Sequence, residues 1–312
     1  MSQEAQQGKQ IRDDYKPHLF NDHFQNYKRY AIPKAQLIIA DIPYNVGKNA
    51  YGSNPSWYIG GDNANGQSEL AGTEFFDTDK DFRVSEFMHF CSTMMMKEPK
   101  ETGKSPCMIV FCEFEQQFEL ITKGKEYGLN RYINLVFRKN FSAQVLKANM
   151  RVVGNCEYAV ILYRDKLPKF NNHGKMVFNC MDWRKDSSIE KIHPTQKPVS
   201  VLRNLIEIFT DKGDVVIDPC AGSGTTLLAA IQSGRQAYGF EIKKNFYKDA
   251  KEKILGSVQK QLFEQKNEFI YLESIIGSGY ENDVAVIAIE DGIAYRAARK
   301  NMQIHSAILL KV

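Results

Sequence analysis

The chain has 312 residues, of which 43% are hydrophobic and 25% charged, so it can bury a core and is not a disordered protein. Its apolar runs are too short to span a bilayer, and its first residues lack the apolar core of a signal peptide, so we expect a cytoplasmic protein outside any membrane. A net charge of +4 would help a polyanion to dock without requiring one.

Short apolar runs rich in Ile and Val alternate with longer mixed segments along the chain. This alternation predicts an α/β fold in which strands of a largely parallel sheet are separated by helices. The predicted strands are 37–40, 108–112, 133–137, 158–163, 215–217 and 237–240. The predicted helices are 85–96, 114–127, 199–210, 225–233 and 244–255.

Some segments depart from this alternation. Residues 45–82 are dense in Gly and Asn, which predicts a long loop serving a site. Residues 165–192 lack periodic structure and could form a small insert that recognises the target. We therefore divide the chain into an N-terminal extension (1–30), a main domain (31–256) and a C-terminal extension of unknown role (257–312).

A glycine-rich turn lies in the segment "GDVVIDPCAGSGTTLLAAIQSGRQAYGFEI", which reads as strand, turn, helix and strand. Gly222 and Gly224 would let the backbone approach a ligand, although a tight strand-to-helix turn can use the same glycines. The dinucleotide and polyphosphate glycine patterns are both missing. Glu241 can accept hydrogen bonds from two ribose hydroxyls, and Asp218 suits a cationic amine. A nucleoside without a polyphosphate, such as S-adenosylmethionine, fits best.

Four motifs occur in one consistent order: "DIPY" (41–44), "HPTQKP" (193–198), "DPCAGSGTT" (218–226) and "GFEI" (239–242). Together they resemble the amino-group DNA methyltransferases. Because the tetrapeptide precedes the glycine loop, the order is similar to that of the β-class adenine-N6 and cytosine-N4 enzymes. The resemblance implies S-adenosylmethionine as cofactor, DNA as partner, and a circularly permuted class I methyltransferase fold. That fold is Rossmann-like, with a mainly parallel seven-stranded sheet flanked by helices.

The resemblance also implies which residues contact the cofactor. The glycine loop and the acid after the next strand would surround it, and "HPTQKP" would line the same pocket near the methionine end. The expected cofactor residues are Asp218, Cys220, Ala221, Gly222, Ser223, Gly224, Thr225, Glu241, Thr195 and Lys197.

The tetrapeptide carries the chemistry that the resemblance implies. An exocyclic amine is a poor nucleophile because its lone pair is delocalised, and the Asp41 carboxylate with the Ile42 carbonyl could accept its two N–H bonds. Pro43 stiffens the turn, and Tyr44 offers a face on which a flipped-out base can stack. The family usually has proline where this chain has Ile42. Because that position contributes a backbone carbonyl, we expect activity to survive.

A basic cluster occurs in "FRKNFSAQVLKANMR". On composition alone it could be a solvated face. The resemblance favours contact with the DNA backbone by Arg138, Lys139, Lys147 and Arg151.

Several alternatives stay open. Asp41 favours adenine, since the cytosine-N4 enzymes by resemblance more often begin the tetrapeptide with Ser. Methylation of RNA or of a protein glutamine is disfavoured by the motif order. A non-catalytic DNA-binding homologue should have lost Asp41, Tyr44 or the glycine loop. No nuclease motif is evident, which favours a stand-alone methylase of phage or mobile-element origin, but a restriction-modification partner, a homodimer and the target sequence are left open.

The six cysteines and six histidines show no metal-binding spacing. We therefore expect isolated buried thiols and no metal site. His193 in particular has no companion ligands at suitable spacing.

Overall fold

The computed structural model describes residues 16–44, 82–140, 144–147, 152–184, 189–193 and 195–256, together with three strands in the region 284–310. The chain divides into two compact units, Met1–Gly256 and Ser257–Val312. The predicted loop at 45–82 lies outside the described residues except for Phe82. Within the described part, no helix is both long and apolar enough to cross a bilayer.

The first unit contains ten strands and five α-helices among its described residues. The strands are β1 His18–Phe20, β2 Leu37–Asp41, β3 Cys107–Cys112, β4 Arg131–Lys139, β5 Gln144–Lys147, β6 Val152–Gly154, β7 Cys156–Tyr163, β8 Cys180–Trp183, β9 Val215–Asp218 and β10 Gln236–Phe240. The helices are α1 Val84–Met94, α2 Gln116–Glu126, α3 Val199–Phe209, α4 Thr225–Gln232 and α5 Lys244–Asp249. A 3-10 helix spans Phe24–Arg29, and a π-helical turn, Ala250–Ile254, follows α5.

Eight of these strands form one sheet in the order β1-β10-β9-β2-β3-β7-β4-β8. All neighbouring pairs are parallel except β3 with β7 and β4 with β7, so β7 alone runs in the opposite direction. Strands β5 and β6 form a separate antiparallel pair. The α/β fold with a mainly parallel sheet is confirmed.

The central strands carry apolar side chains on both faces because helices cover the sheet on both sides. Every residue of β3 is buried, and so are the first four of β2. All six strands and five helices expected from the periodicity are present. The sheet has eight strands, however, because the short β1 pairs with β10 and β8 pairs with β4. Strand β1 lies within the segment predicted to be an N-terminal extension.

The order of the strands sets the position of a binding site. From the pair β2 and β9, the sheet continues through β10 on one side and through β3 on the other. In open parallel sheets, ligands bind outside the carboxyl ends of the strands where the order reverses in this way. Asp41 ends β2 and Asp218 ends β9, so the two acids lie at that point.

The second unit contains the described strands β11 Val284–Glu290, β12 Ile293–Lys300 and β13 Gln303–Leu310. They form a three-stranded antiparallel sheet, β11-β12-β13. The C-terminal extension therefore contains a sheet separate from the eight-stranded one.

Candidate active site

A cavity of about 320 Å³ opens at the carboxyl ends of β2, β9 and β10. The tetrapeptide, the "HPTQKP" segment and the glycine loop all contribute to its walls. Its lining includes every expected catalytic and cofactor residue except Gly224, namely Asp41, Ile42, Pro43, Tyr44, Thr195, Lys197, Asp218, Cys220, Ala221, Gly222, Ser223, Thr225 and Glu241. The structure thus brings together all four motifs, which are separate in the sequence.

Gly224 shapes the loop from behind the cavity. It adopts φ +77 at the N-cap of α4, where a side chain would be strained. A Cβ there would lie 3.4 Å from the Cβ of Ala250 in the π-helical turn. Glycine is therefore required to close this turn, and its contact with the cofactor stays a prediction.

Gly239 allows β10 to approach the loop closely. A Cβ at this position would lie 2.7 Å from Cδ1 of Leu227 and 3.1 Å from the Cβ of Ala221. Only glycine fits without displacing these neighbours, and the close packing brings the end of β10 against the glycine turn.

Backbone amides hold two buried carboxylates in the cavity. Glu241 accepts from the N–H groups of Gly222 at 2.9 Å and Lys243 at 2.7 Å. Asp218 accepts from the N–H of Cys220 at 2.9 Å. Burial raises the pKa of each carboxyl to about 7, although these hydrogen bonds act to lower it. This half of the cavity therefore favours a ligand that supplies hydrogen-bond donors and positive charge.

The tetrapeptide is tied to β3 and to the helix that follows it. The Ile42 N–H donates to the Phe111 carbonyl at 3.2 Å, and the Gln116 side chain donates to the Pro43 carbonyl at 2.8 Å. Ile42 is 2% exposed and packs in the hydrophobic core. The isoleucine thus fills apolar space, and hydrogen bonds to Phe111 and Gln116 fix the geometry of the turn.

Asp41 is held by a lysine from the "HPTQKP" segment. Lys197 Nζ lies 2.6 Å from Asp41 Oδ2. Oδ1 is buried and has no hydrogen-bond partner among the described residues. Burial raises the pKa of Asp41, and the ammonium of Lys197 opposes that rise. Burial alone would lower the pKa of Lys197, but Asp41 and Glu157 outweigh it and keep the lysine charged.

A second acid and a second lysine lie behind Tyr44. The Tyr44 hydroxyl donates to Glu157 Oε2 at 2.8 Å and accepts from Lys197 at 3.2 Å. Glu157 also forms an ion pair with Lys139. Lys139 is only 9% exposed and its ammonium pairs with Glu157, which disfavours the predicted contact with DNA.

The other predicted DNA-binding residues have different surroundings. Arg138 is exposed and donates twice to Asp182 Oδ1, at 2.8 and 3.1 Å. Lys147 lies on the described backbone of β5, but its side chain is outside the description, as is the whole of Arg151.

Two features in and beside the cavity were not expected from the sequence. Glu157 was visible only as an acid before an apolar run, and its pairing with Lys139 depends on the antiparallel register of β4 and β7. The His193 ring would lie 3.5 Å from a Cβ at Gly222 and contacts the Phe246 ring at 4.5 Å. Burial lowers the pKa of His193 to about 4, so the ring is neutral near pH 7.

The cysteines form no disulfides among the described residues. All six thiols are free, but Cys156 and Cys180 are exposed, so the expectation of buried thiols is wrong for these two. They lie at the exposed starts of β7 and β8. The described residues contain no cluster of side chains suited to a metal ion.

Comparison with known proteins agrees with this arrangement. A family model described as DNA methylase matches residues 35–252, which span the tetrapeptide, the glycine loop and Glu241. A relative from Escherichia coli (strain K12), named DNA adenine methyltransferase YhdJ, is 26% identical over 251 residues, covering 74% of this chain and 79% of the relative.

Two solved structures share the fold. The crystal structure of the M1.HpyAVI-SAM complex superposes with a TM-score of 0.53 at 20% identity and covers 76% of this chain and 98% of that chain. The cytosine-N4-specific PvuII DNA methyltransferase gives a TM-score of 0.55 at 13% identity and covers 80% of this chain and 94% of that chain. With the family model spanning the whole candidate site, this chain belongs to the DNA methylase family.

Proposed function

We propose that this chain transfers a methyl group from S-adenosylmethionine to the N6 atom of adenine in DNA. The observation that carries the proposal is the buried Oδ1 of Asp41, which has no hydrogen-bond partner among the described residues and belongs to a residue that lines the cavity. An unpaired buried acceptor is costly unless a ligand donates to it. An exocyclic amine is a donor of the right kind.

The cofactor half of the cavity fits S-adenosylmethionine. Glu241 can accept from the ribose hydroxyls, and Asp218 can pair with the positive charge of the methionine amine. Both carboxyls have pKa values near 7, and a cationic ligand would draw them to their ionised forms. When bound, the cofactor supplies an electrophilic methyl group on a sulfonium. The similar M1.HpyAVI structure was solved as a complex with this molecule.

The tetrapeptide would activate the amine. Asp41 Oδ1 and the Ile42 carbonyl accept one N–H bond each, which localises the nitrogen lone pair toward the methyl group. The bound cofactor would give its methyl group to this nitrogen and leave as the neutral thioether, and the extra proton on nitrogen would pass afterward to solvent. Tyr44 would stack on the target base, which must swing out of the duplex to reach the cavity.

Adenine is preferred over cytosine because the tetrapeptide begins with Asp41, whereas the cytosine-N4 enzymes more often begin it with Ser. The name of the E. coli relative also refers to adenine. Cytosine-N4 transfer is the second candidate, favoured by the fold shared with the PvuII enzyme. Among the basic residues, Arg138 and the residues at 147 and 151 are proposed to contact the DNA backbone.

Product analysis tests the proposal directly. Purified protein is incubated with unmethylated DNA and S-adenosylmethionine, and the DNA is digested to nucleosides for mass spectrometry. We expect N6-methyladenine with the native chain and none with Asp41→Ala. N4-methylcytosine would replace the adenine assignment, and the absence of both products would overturn the function.

A further inference from the structure

Four charged side chains, Asp41 of the tetrapeptide among them, lie together and are buried or largely buried. Lys197, Lys139, Glu157 and Asp41 have side-chain exposures of 5, 8, 16 and 21%. Removing charges from water is costly, and well-packed apolar residues would usually stabilise a fold as well or better. Stability alone is therefore a weak reason for such a cluster next to a reaction site.

Lys197 is confined to one position. Its ammonium lies 2.6 Å from Asp41 Oδ2 and 3.2 Å from the Tyr44 hydroxyl. It also lies 5.3 Å from the ring centres of Tyr44 and Phe111 and 5.7 Å from that of Trp183. With Oδ2 engaged in this way, Oδ1 is the oxygen left to accept a bond from a target amine. The ammonium thus determines which carboxylate oxygen is available to the target amine.

Glu157 performs the matching task for Tyr44. Its Oε2 accepts from the tyrosine hydroxyl at 2.8 Å, while its Oε1 is paired with Lys139. The hydroxyl is therefore held from two sides, by Glu157 and by Lys197. Holding the hydroxyl at the far end of the ring fixes the direction of the ring axis. Because a phenolic O–H prefers to lie in the plane of its ring, its bond to Glu157 also favours one plane on which a base would stack.

We propose that Lys197 and Glu157 are positioning residues, the first orienting the Asp41 carboxylate toward the target amine and the second orienting the ring of Tyr44. This rests on the proposed function for its consequence in catalysis. Lys197 was expected from the resemblance to contact the cofactor, and the proposal assigns it instead to the target side of the cavity. The segment that carries it would then connect the cofactor wall to the tetrapeptide.

A direct titration of Asp41 tests the role of Lys197 without relying on activity. Protein labelled with ¹³C at the aspartate carboxyl carbons is followed by NMR across pH, with Asp41→Asn used to assign the signal. Removing the ammonium in Lys197→Met should raise the pH at which Asp41 titrates, and Lys197→Arg should largely restore it. Glu157 and Tyr44 also act on Asp41, and Asp41 interacts with Asp218 and Cys112; all four groups are unchanged in both variants.

Kinetics and cofactor binding supply the second readout. Lys197→Met should lower kcat by about 100-fold, since small misplacement of a reacting group costs that much. Its dissociation constant for S-adenosylmethionine, measured by calorimetry, should stay nearly unchanged. Lys169→Met is the matched control, because Lys169 pairs with Asp211 and Asp214 and does not line the cavity.

Two outcomes would overturn the role of Lys197. One is an Asp41 titration that does not move in Lys197→Met, and the other is a cofactor affinity that falls as far as kcat does. A native chain that produces no methylated nucleoside would remove the proposed function, but the titration would still decide whether Lys197 controls Asp41. Failure of the function and failure of the inference are therefore separable.

The role of Glu157 is tested with a double-mutant cycle. Tyr44→Phe keeps the ring but removes the hydroxyl, and it should lower kcat/KM by about tenfold. Glu157→Gln keeps the shape and an acceptor oxygen, so it should have a smaller effect and almost none in the Tyr44→Phe background. Independent effects that simply add would show that Glu157 does not act through Tyr44. Thermal unfolding of each variant checks that the fold is retained.

Discussion

The two halves of the cavity hold their carboxylates by different means. In the cofactor half, Glu241 and Asp218 accept from backbone amides that are two to nineteen residues away in sequence. In the catalytic half, Tyr44 is bound by side chains 113 and 153 residues away, and Asp41 is paired with Lys197. One half is thus built by a local loop, and the other by contacts between distant segments.

This difference has an electrostatic consequence. Backbone amides orient a carboxylate but carry no net charge, so burial still raises the pKa of Asp218 and Glu241 to about 7. In the catalytic half, Lys197 and Lys139 overcome burial and lower the pKa of Glu157. The cofactor half should therefore respond to pH near neutrality, while Glu157 in the catalytic half should stay ionised; for Asp41, burial outweighs Lys197 and raises the pKa.

The largest effect is expected from Asp41→Ala, which should impair the catalytic half and leave the cofactor half intact. This change removes the acceptor for the target amine, so we expect transfer to fall by about 1,000-fold or more. The affinities for S-adenosylmethionine and for DNA should stay nearly unchanged, since neither depends on Asp41. Single-turnover kinetics, calorimetry and a DNA-binding titration measure the three quantities. Retained turnover would remove Asp41 from the mechanism.

Acidification should act on the cofactor half. A carboxyl with its pKa near 7 is protonated below that pH, and the neutral form neither pairs with an ammonium nor accepts hydrogen bonds as strongly. From pH 8 to pH 6 the dissociation constant for S-adenosylmethionine should therefore rise by about tenfold for each carboxyl involved. Calorimetry across this range measures the effect.

The matched variant for this pH dependence is Glu241→Gln. It should bind the cofactor more weakly at pH 8 and show a flatter dependence on pH than the native chain. A profile as steep as the native one would mean that Glu241 does not contribute to the response.

The close packing of the cofactor half can be broken at Gly239. Alanine there would place a Cβ 2.7 Å from Cδ1 of Leu227, so we expect a loss of about 1–3 kcal/mol in the free energy of unfolding. Gly124→Ala is the control, because Gly124 lies in α2 and a Cβ there would have its nearest neighbour, Cδ1 of Leu162, at 3.5 Å. Denaturant unfolding measures both. Equal stability of the two variants would contradict the packing argument.

The smallest effect is expected outside both halves, at Arg138. Its guanidinium is exposed and is paired with Asp182, so Arg138→Gln should weaken DNA binding only slightly. The slope of log affinity against log salt concentration should fall by less than the amount expected for one phosphate contact. Asp182→Asn leaves the arginine in place and should strengthen binding by a similar amount. DNA-binding titrations at several salt concentrations test the pair, and a fall in affinity with Asp182→Asn would contradict it.

Much of the fold could be predicted because the determining patterns are local. A parallel strand covered on both faces is apolar throughout, and β3 shows that pattern without interruption. The turn before α4 could be predicted from Gly222 and Gly224, which both have positive φ in the structure. The short β1, with three residues, carries too little pattern to be recognised without its partner β10.

The candidate site divides in the same way. The sequence by itself determined the glycine loop, Asp218, Glu241 and the tetrapeptide. Each belongs to a short contiguous motif, and a few neighbouring residues are enough to indicate its chemistry. Only the tertiary structure decided that Lys139 is buried against Glu157 and that Lys197 faces Asp41. Those pairings depend on strand register and on loops meeting at one edge of the sheet, and an exposed lysine and a buried one look alike in sequence.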